Sequence, residues 1–596
     1  MSRKNEMRLM EVVVLQEDVS RTVEFLGRSE RFEFQFHKGG SDASILPFKE
    51  LFDKLQSVRS YLGMEDLAHY RDDSFFPVKE DIGHVENIVQ IVDELRKQEQ
   101  ELRTSKDDVP LSEKAEAIKI LQLQDQNLSS GDAQFNEKSE ALKVLLQQEQ
   151  ELKAAKDREI SQKITAAKEN LVKVHGKEIY QLLGRFSLGV NVQQVESCLE
   201  STEFAYRICG WTTLQESKRL AEELVDLTKG RVAICSYRPE EVPGVSSGQE
   251  KVPVRFKHNK FVESFERMLF SYGAPQYGVI DATPLMAFFF PLLFGIMFGD
   301  AGQGLVFLLI GILLTTNVIK KFPTWNKFGP IFIAIGCTST IMGVLTGEFF
   351  ANSKILVPLS RFITGLYGEP HDYILHLMPS SETIGTVFMF FGFTLAVGFI
   401  MNSLGLIINM VNQIALGKPT KAFFGKTGFC GALFFWYVVF MAIRIAAFKS
   451  TIHVADWIVI GVALLGACFG HPIERLLAGK RPVFEHGLGV GIIEGVVELL
   501  EVVSSYLSNT ISFLRVGAFG LAHAVLGFII FTMSQMVGGV GGVAISIIGN
   551  LIVILLEGMI VAIQVVRLHY YEFFSKFFTE TGREFKPFRF EYKKVS

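Results

Sequence analysis

Residues 487–537 restrict this chain more than any other stretch. The run is proline-free and mostly apolar, yet it carries one row of polar groups. Glu494, Glu498, Glu501, Ser505, Ser508, Ser512 and Arg515 follow one another at alternating steps of four and three, which places all seven on one face of a helix. As a single helix rising 1.5 Å per residue the run is about 75 Å long, over twice the roughly 30 Å of a bilayer's hydrocarbon. It must tilt steeply, break, or project from the membrane. An arginine within such a run costs about 2.5–3.5 kcal/mol on insertion scales, so Arg515 needs a physical reason to be there.

The rest of the second half has the same character. Hydrophobic residues make up 48% of the 596, with 52 Phe against 4 Trp and 14 Tyr, and most of the charge lies before residue 270. From Pro284 the hydropathy predicts eight membrane segments, at about 285–298, 302–319, 328–350, 383–411, 428–447, 453–470, 488–537 and 543–577. The first two are separated by Phe298-Gly299-Asp300-Ala301-Gly302-Gln303-Gly304. A glycine-rich break at that depth must be buried in protein or line water. Orientation follows from basic residues. Inside loops hold Lys320, Lys321, Lys327, Lys418, Lys421, Lys426, Arg475, Lys480 and Arg481, and the tail adds Lys576, Arg583, Lys586, Arg589, Lys593 and Lys594. Outside loops hold only Lys354, Arg361, Arg444 and Lys449. The bias places both termini in the cytoplasm. No signal-peptide pattern opens the chain: Val12–Leu15 is too short and ends in Gln16-Glu17-Asp18.

The last segment mirrors the seventh. Glu557, Gln564, Arg567 and Tyr571 lie roughly on one face, and His569 and Glu572 follow. The link Gly538-Gly539-Val540-Gly541-Gly542 is short enough to make the two segments antiparallel neighbours. Intramembrane ionisable residues mark ion pathways by default. The plainer readings are that Glu494 and Glu498 are interfacial charges, that Arg515 belongs to a structural Arg–Glu pair, and that His523 is a packing histidine.

The first half reads as soluble. Met10–Leu15 and Arg31–His37 are strand candidates around a helix that begins near Asp18. From Lys79, Ile82, Val85, Val89, Val92 and Leu95 recur at helical steps, and a second arm over residues 137–175 repeats the pattern with Ile160, Ile164, Leu171 and Val174. Gln98-Glu99-Gln100-Glu101-Leu102 recurs as Gln148-Glu149-Gln150-Glu151-Leu152, and Leu128-Ser129-Ser130-Gly131-Asp132 is a turn signal between the arms. This predicts an antiparallel helical hairpin of coiled-coil type. Ala205–Gly210 and Arg231–Tyr237 read as strands flanking a helix at Leu214–Leu227. The expected fold is thus an α-helical membrane protein of about eight spans, the last two long and tilted, with an N-terminal cytoplasmic α/β lobe and helical hairpin. The expected boundaries are a cytoplasmic part at 1–280 (lobe 1–75 and 176–250, hairpin 79–175) and a transmembrane ion-translocation part at 281–596.

Several chemistries find no support. Cys198, Cys209, Cys235, Cys337, Cys430 and Cys468 are scattered singly and fit neither a disulfide framework nor a zinc site. Gly425-Lys426-Thr427 resembles the end of a P-loop, but the glycine needed five positions earlier is Thr420. No nucleophile–base pair, cofactor motif or metal-ligand cluster is evident, so the chain reads as non-catalytic, with no cofactor and no nucleic-acid partner.

Tyr506-Leu507-Ser508-Asn509-Thr510-Ile511-Ser512-Phe513-Leu514-Arg515-Val516-Gly517-Ala518-Phe519, continuing through Leu521-Ala522-His523-Ala524, resembles the signature of the large membrane subunit of vacuolar-type rotary ATPases, called a in eukaryotes and I in bacteria and archaea. The resemblance returns at Leu556-Glu557-Gly558, at Arg567–Phe578, at Tyr277–Pro284 and at Met297–Asp300. It implies a static subunit that supplies two offset ion half-channels to a rotating ring of small, carboxylate-bearing subunits. H⁺ or Na⁺ flow would be coupled to ATP hydrolysis or synthesis in partner subunits, and peripheral-stalk subunits would be further partners. Arg515 would sit between the half-channels. Chain direction then places Glu494, Glu498, Glu501, Ser505 and Ser508 on its cytoplasmic side, and His523, Glu557 and Asp300 on the outer side, with Gln564 and Arg567 completing the set on the eighth segment. The polar residues 103–136 depart from the family pattern: the distal lobe of the hairpin looks reduced, as in a compact prokaryotic form of a plasma membrane. A second reading is a cation-coupled secondary transporter with a cytoplasmic rod, for which the broken first pair fits but no repeat between halves is visible. A purely structural anchor leaves both arginines unexplained.

Overall fold

A computed structural model of the chain describes residues 6–36, 47–65, 76–104, 133–316, 325–352, 355–366, 374, 384–449, 451–470, 488–579 and 581–590. It divides into two compact units, one of residues 8–242 and 586–596, the other of residues 1–7 and 243–585. The turn signal at 128–132, most of the reduced-lobe stretch, His37, and the loop cations Lys320, Lys321, Lys354, Arg475, Lys480, Arg481, Lys593 and Lys594 lie outside the described residues.

The first unit is an α/β lobe with helical arms. Strands β1 (Met7–Leu15), β2 (Glu33–Phe34), β3 (Glu200–Ser201), β4 (Ala205–Thr213) and β5 (Val232–Tyr237) form a sheet of order β2-β4-β1-β5, with β3 on β4. Helices α1 (Val19–Ser29) and α5 (Leu214–Leu227) connect strands. Setting aside the short β3, this is a split β-α-β-β-α-β unit whose middle connection carries the helical arms. β1 pairs antiparallel with β5, Val12 opposite Ile234. Alternation along β1 buries Met10, Val12 and Val14 against Val23 and Leu26 of α1. The strand expected over Arg31–His37 pairs only at Glu33–Phe34.

Three helices build the arms: α2 (Pro47–Tyr61), α3 (Lys79–Thr104) and α4 (Ala133–Glu196). Sequence reasoning missed α2, and α2 is why the base is not a bare two-helix coil. Leu55, Val58 and Leu62 pack with Val85, Ile88 and Val92 of α3 and with Ile179, Leu182, Leu183 and Phe186 of α4. The second arm also runs past its expected end. Leu188, Val192 and Val195 carry the apolar face of α4 into the lobe core, so burial, not local propensity, sets its length. Val174, read as part of the inward row, is 71% exposed.

The second unit is almost wholly helical: α6 (Lys260–Tyr272), α7 (Thr283–Met297), α8 (Ala301–Thr315), α9 (Gly329–Thr346), α10 (Val357–Gly365), α11 (Ile384–Ala415), α12 (Phe429–Phe448), α13 (Val454–Cys468), α14 (Leu488–Val537) and α15 (Gly539–Lys576). Four described helical stretches are long and apolar enough to cross a membrane, at Trp325–Thr346, Val387–Ala415, Ile493–Val537 and Gly539–Lys576. Helices α7, α8, α12 and α13 are apolar but shorter. From Leu488 to Val537 the chain is one unbroken helix of 50 residues.

Contacts between small residues fix the α8–α9 pair. A Cβ at Gly304 would lie 2.6 Å from Thr340 N, and one at Gly311 would lie 2.6 Å from Ile333 N. Only glycine permits that backbone approach. The break between α7 and α8 is sealed by α9 and the turn that follows it. Ser339 Oγ donates to Phe298 O at 2.5 Å, Thr346 Oγ1 donates to Gly299 O at 3.2 Å, and Ala301 N donates to Glu348 O at 2.9 Å. The interrupted backbone is thereby satisfied inside protein, as an apolar environment requires.

Candidate ion path

Asp300 is positioned first. As the residue capping α8 it accepts from Gly302 N (2.8 Å), Gln303 N (3.0 Å) and Phe350 N (2.9 Å) on Oδ1, and from Ala351 N (2.7 Å) on Oδ2. Four backbone donors aimed at one carboxylate is the chemistry of an anion held in place. The same turn after α9 presents Glu348, whose carboxylate, with Asp300 and a ring nitrogen of His523, places ligand atoms within 4.8 Å of one another. His523 comes from α14, and its Nδ1 lies 2.9 Å from Glu557 Oε2 of α15. The His523 ring also packs on Phe298, centroids 4.5 Å apart. His523, Asp300 and Glu557 are buried. Glu557 Oε1 has no hydrogen-bond partner among the described residues.

The structure thus brings Asp300, His523 and Glu557 together and adds Glu348. Three carboxylates around one imidazole can hold and exchange a proton, or hold a hard cation through oxygen ligands. Glu348 was passed over in the sequence, although an acid in Thr346-Gly347-Glu348-Phe349-Phe350, at the end of an apolar run, was its signal. Gln303, in the first turn of α8, donates to Asn550 Oδ1 of α15 at 2.8 Å and ties α8 to α15.

A second group lies further toward the other end of α14 and α15. Arg515 of α14, Arg567 of α15 and Glu572 are within electrostatic reach of one another, and Ser512 of α14 adjoins Glu572. Arg515 is half-buried, and its Nη1 is buried with no partner among the described residues, as are Glu572 Oε2 and Gln564 Oε1. Arg515 and His523 are eight residues apart, about 12 Å along the helix and 80° around it.

Helix α15 is not a regular α-helix. Val553–Glu557 and Leu568–Phe573 adopt π-turns, each fitting an extra residue into the turn. Glu557 ends the first, and His569 and Glu572 sit in the second, both buried. Tyr571, read as roughly on the same face as Glu557 and Gln564, is instead 69% exposed. A wider turn shifts the phase of everything beyond it, so regular helical spacing misplaces these residues.

The remaining members of the polar row are spread along α14. Glu501 forms an ion pair with Lys426, Nζ to Oε1 2.5 Å. Glu494 and Ser508 are exposed, and Glu498 and Ser505 are partly buried. Tyr506, on the opposite face, stacks on Phe435 with centroids 5.3 Å apart and donates its hydroxyl to Lys426 O at 2.8 Å.

A family profile described as "V-type ATPase 116kDa subunit family" matches residues 93–356 and 481–590, more than half of the chain and all of the polar groups described above except Lys426. The chain belongs to this family. Among curated relatives, "V-type ATP synthase subunit I 2" of Treponema pallidum (strain Nichols) is 36% identical over 419 residues, covering 70% of this chain and 84% of that protein. "A-type ATP synthase subunit I" of Pyrococcus horikoshii is 26% identical over 407 residues, covering 66% of this chain and 55% of that protein. Its namesake from Methanocaldococcus jannaschii is 26% identical over 409 residues, covering 65% and 55%. The chain therefore spans about half the length of these archaeal relatives. Membership in the V-type 116 kDa subunit family disfavours the secondary-transporter reading.

Proposed function

We propose that this member of the V-type 116 kDa subunit family is the static membrane subunit of a prokaryotic V/A-type rotary ATPase. It supplies two offset half-channels to a turning ring of carboxylate-bearing subunits. All eight apolar helices cross the plasma membrane, both termini are cytoplasmic, and the arms of the soluble unit dock peripheral-stalk subunits. ATP hydrolysis or synthesis takes place in partner subunits.

One observation carries the reading: two separate polar groups share α14 and α15, with Arg515 and Arg567 in one and His523 and Glu557 in the other. The acidic row of α14 leads from the cytoplasm to Arg515. The His523–Glu557–Glu348–Asp300 group opens toward the outside. A guanidinium stays protonated at any relevant pH, and Arg515 offers a donor that no described residue takes up. A ring carboxylate passing it is held ionised by the adjacent positive charge. The ion must therefore leave before the carboxylate passes, and the two half-channels never connect directly. Glu572, within electrostatic reach of both arginines, draws the guanidinium toward α15 while leaving that donor to the ring.

The test is Arg515→Gln and Arg515→Lys in the intact complex reconstituted into vesicles. Arg515→Gln abolishes ATP-driven H⁺ or Na⁺ uptake. Lysine, without the planar fork and with a pKa that falls when desolvated, restores little. Full coupled transport by Arg515→Gln refutes the barrier role.

A further inference from the structure

Helix α14, which carries part of the ion path, has a cavity on its other face. Its volume is about 680 Å³, within the roughly 300–1,000 Å³ usual for small-ligand sites. Its walls come from α11 (Leu395, Asn402), α12 (Phe435, Val439) and α14 (Leu507, Thr510). On α14 the lining positions 503, 506, 507, 510 and 513 lie on the face turned away from the polar row, at 100° per residue. The lining is almost entirely apolar, and no charged side chain contributes to it.

Asn402 is the exception. It is 3% exposed, and its Oδ1 is buried with no hydrogen-bond partner among the described residues. The other polar groups of the wall are engaged: Thr510 Oγ1 donates to Tyr506 O at 2.8 Å and Tyr506 Oη donates to Lys426 O at 2.8 Å. An unpaired amide in an apolar interior costs several kcal/mol. A trapped water needs two to four polar partners, and here Asn402 stands nearly alone. Two of the walls belong to helices long and apolar enough to cross a membrane, so the medium at the cavity mouth is lipid.

We propose that this cavity binds a neutral single-chain amphiphile drawn from the bilayer. Its alkyl chain lies against Leu395, Phe435 and Leu507, and its hydroxyl donates to Asn402 Oδ1. A hydroxyl supplies the missing donor without bringing a charge. A phospholipid headgroup does not fit, because the walls hold no charge to pair with it.

The test is photolabelling of the intact complex in membranes. Two probes are compared, a long-chain alcohol bearing a diazirine and the matching diazirine alkane, with labelled peptides mapped. The alcohol labels the α11, α12 and α14 walls at least fivefold above the exposed positions Val462 and Leu465 of α13. Val439→Trp fills the space and cuts wall labelling by both probes about tenfold. Asn402→Leu removes one hydrogen bond, lowering alcohol labelling about fivefold and leaving the alkane unchanged. Equal labelling of the walls and of Val462 and Leu465, insensitive to both substitutions, overturns the site. Equal response of the two probes to Asn402→Leu overturns the hydroxyl assignment. If Val439→Trp fails to assemble, as judged by size-exclusion chromatography, the two-probe comparison in Asn402→Leu decides alone.

Discussion

Replacing Asp300 by asparagine separates two roles that a buried acid on an ion path combines. The carboxylate accepts four backbone donors at 2.7–3.0 Å. Asparagine keeps one oxygen, so the three bonds to Oδ1 survive as neutral ones. A hydrogen bond to a charged group is worth about 1.5–3 kcal/mol and a neutral one about 0.5–1.5, so those three lose about 3 kcal/mol together. The new amide NH₂ then faces Ala351 N–H, leaving a buried donor unpaired for a further ~1–3 kcal/mol. The sum, about 4–6 kcal/mol, is a large part of the ~5–15 kcal/mol that holds a domain folded. At the ~2–4 °C per kcal/mol typical of large domains, Asp300→Asn lowers the apparent Tm by about 8–24 °C. Detergent-solubilised chain, heated and then resolved by fluorescence-detected size exclusion, gives that number directly. A Tm within about 2 °C of the parent protein, together with lost transport, refutes the argument: Asp300 would then be an ion carrier and its four hydrogen bonds incidental.

Glu348 is the contrasting case. Glu348→Gln holds Tm within about 2 °C and lowers ATP-driven ion uptake by the reconstituted complex at least tenfold, because the group it contributes to with His523 and Asp300 loses an acid rather than an anchor. His258 gives a pH signature. Burial pushes its pKa down, but Asp281, at 2.5 Å from Nε2, and Glu266, hydrogen-bonded to Nδ1, outweigh that and hold it up at about 9, above the ordinary 6.5. The pair of bonds therefore stabilises fully below about pH 6.5, and the gain is lost as pH rises through 9. That shift corresponds to about 3 kcal/mol at full value and about 1–2 kcal/mol once solvent screening is allowed for. His258→Gln lowers Tm at pH 6–7, and the difference closes above pH 9–10; a pH-independent difference contradicts the assignment. At Gly343, a Cβ would press on Ala301 N and the Asp300 carbonyl, so Gly343→Val costs several kcal/mol by overpacking and shows as loss of a monodisperse peak at 37 °C, whereas Gly461→Ala, where the Cβ meets open space, does not.

Much of the second unit was legible because hydropathy is a bulk signal. Each of the eight apolar runs expected from the sequence coincides with a helix, within a few residues at most ends. The row ending at Arg515 and the acid at Glu557 were also visible, since polar groups in an apolar run stand out one at a time. What escaped depends on contacts between distant segments. Glu348 reaches Asp300 because glycines let α8 and α9 meet backbone to backbone, which no local pattern announces. Glu501 reads as one more member of a polar file until Lys426 is found beside it. The ends of α4 are set by the core it enters, and α2, though as long as α1 and α5, gathers its apolar residues on one face less sharply than they do. The π-turns are invisible in principle to a reading that assumes 3.6 residues per turn.

Those two π-turns have a consequence for how α15 tolerates change in length. Each stores a surplus residue, so the strand of chain between Glu557 and Glu572 is threaded with slack at both ends. Removing one residue within Val553–Glu557 lets that turn relax to α geometry with its hydrogen bonds intact. Removing one from the regular stretch between the turns instead swings Arg567 by about 100° away from Arg515. The helix is thus a shaft with two keyed joints: its length is adjustable at the joints and its angular timing is locked between them.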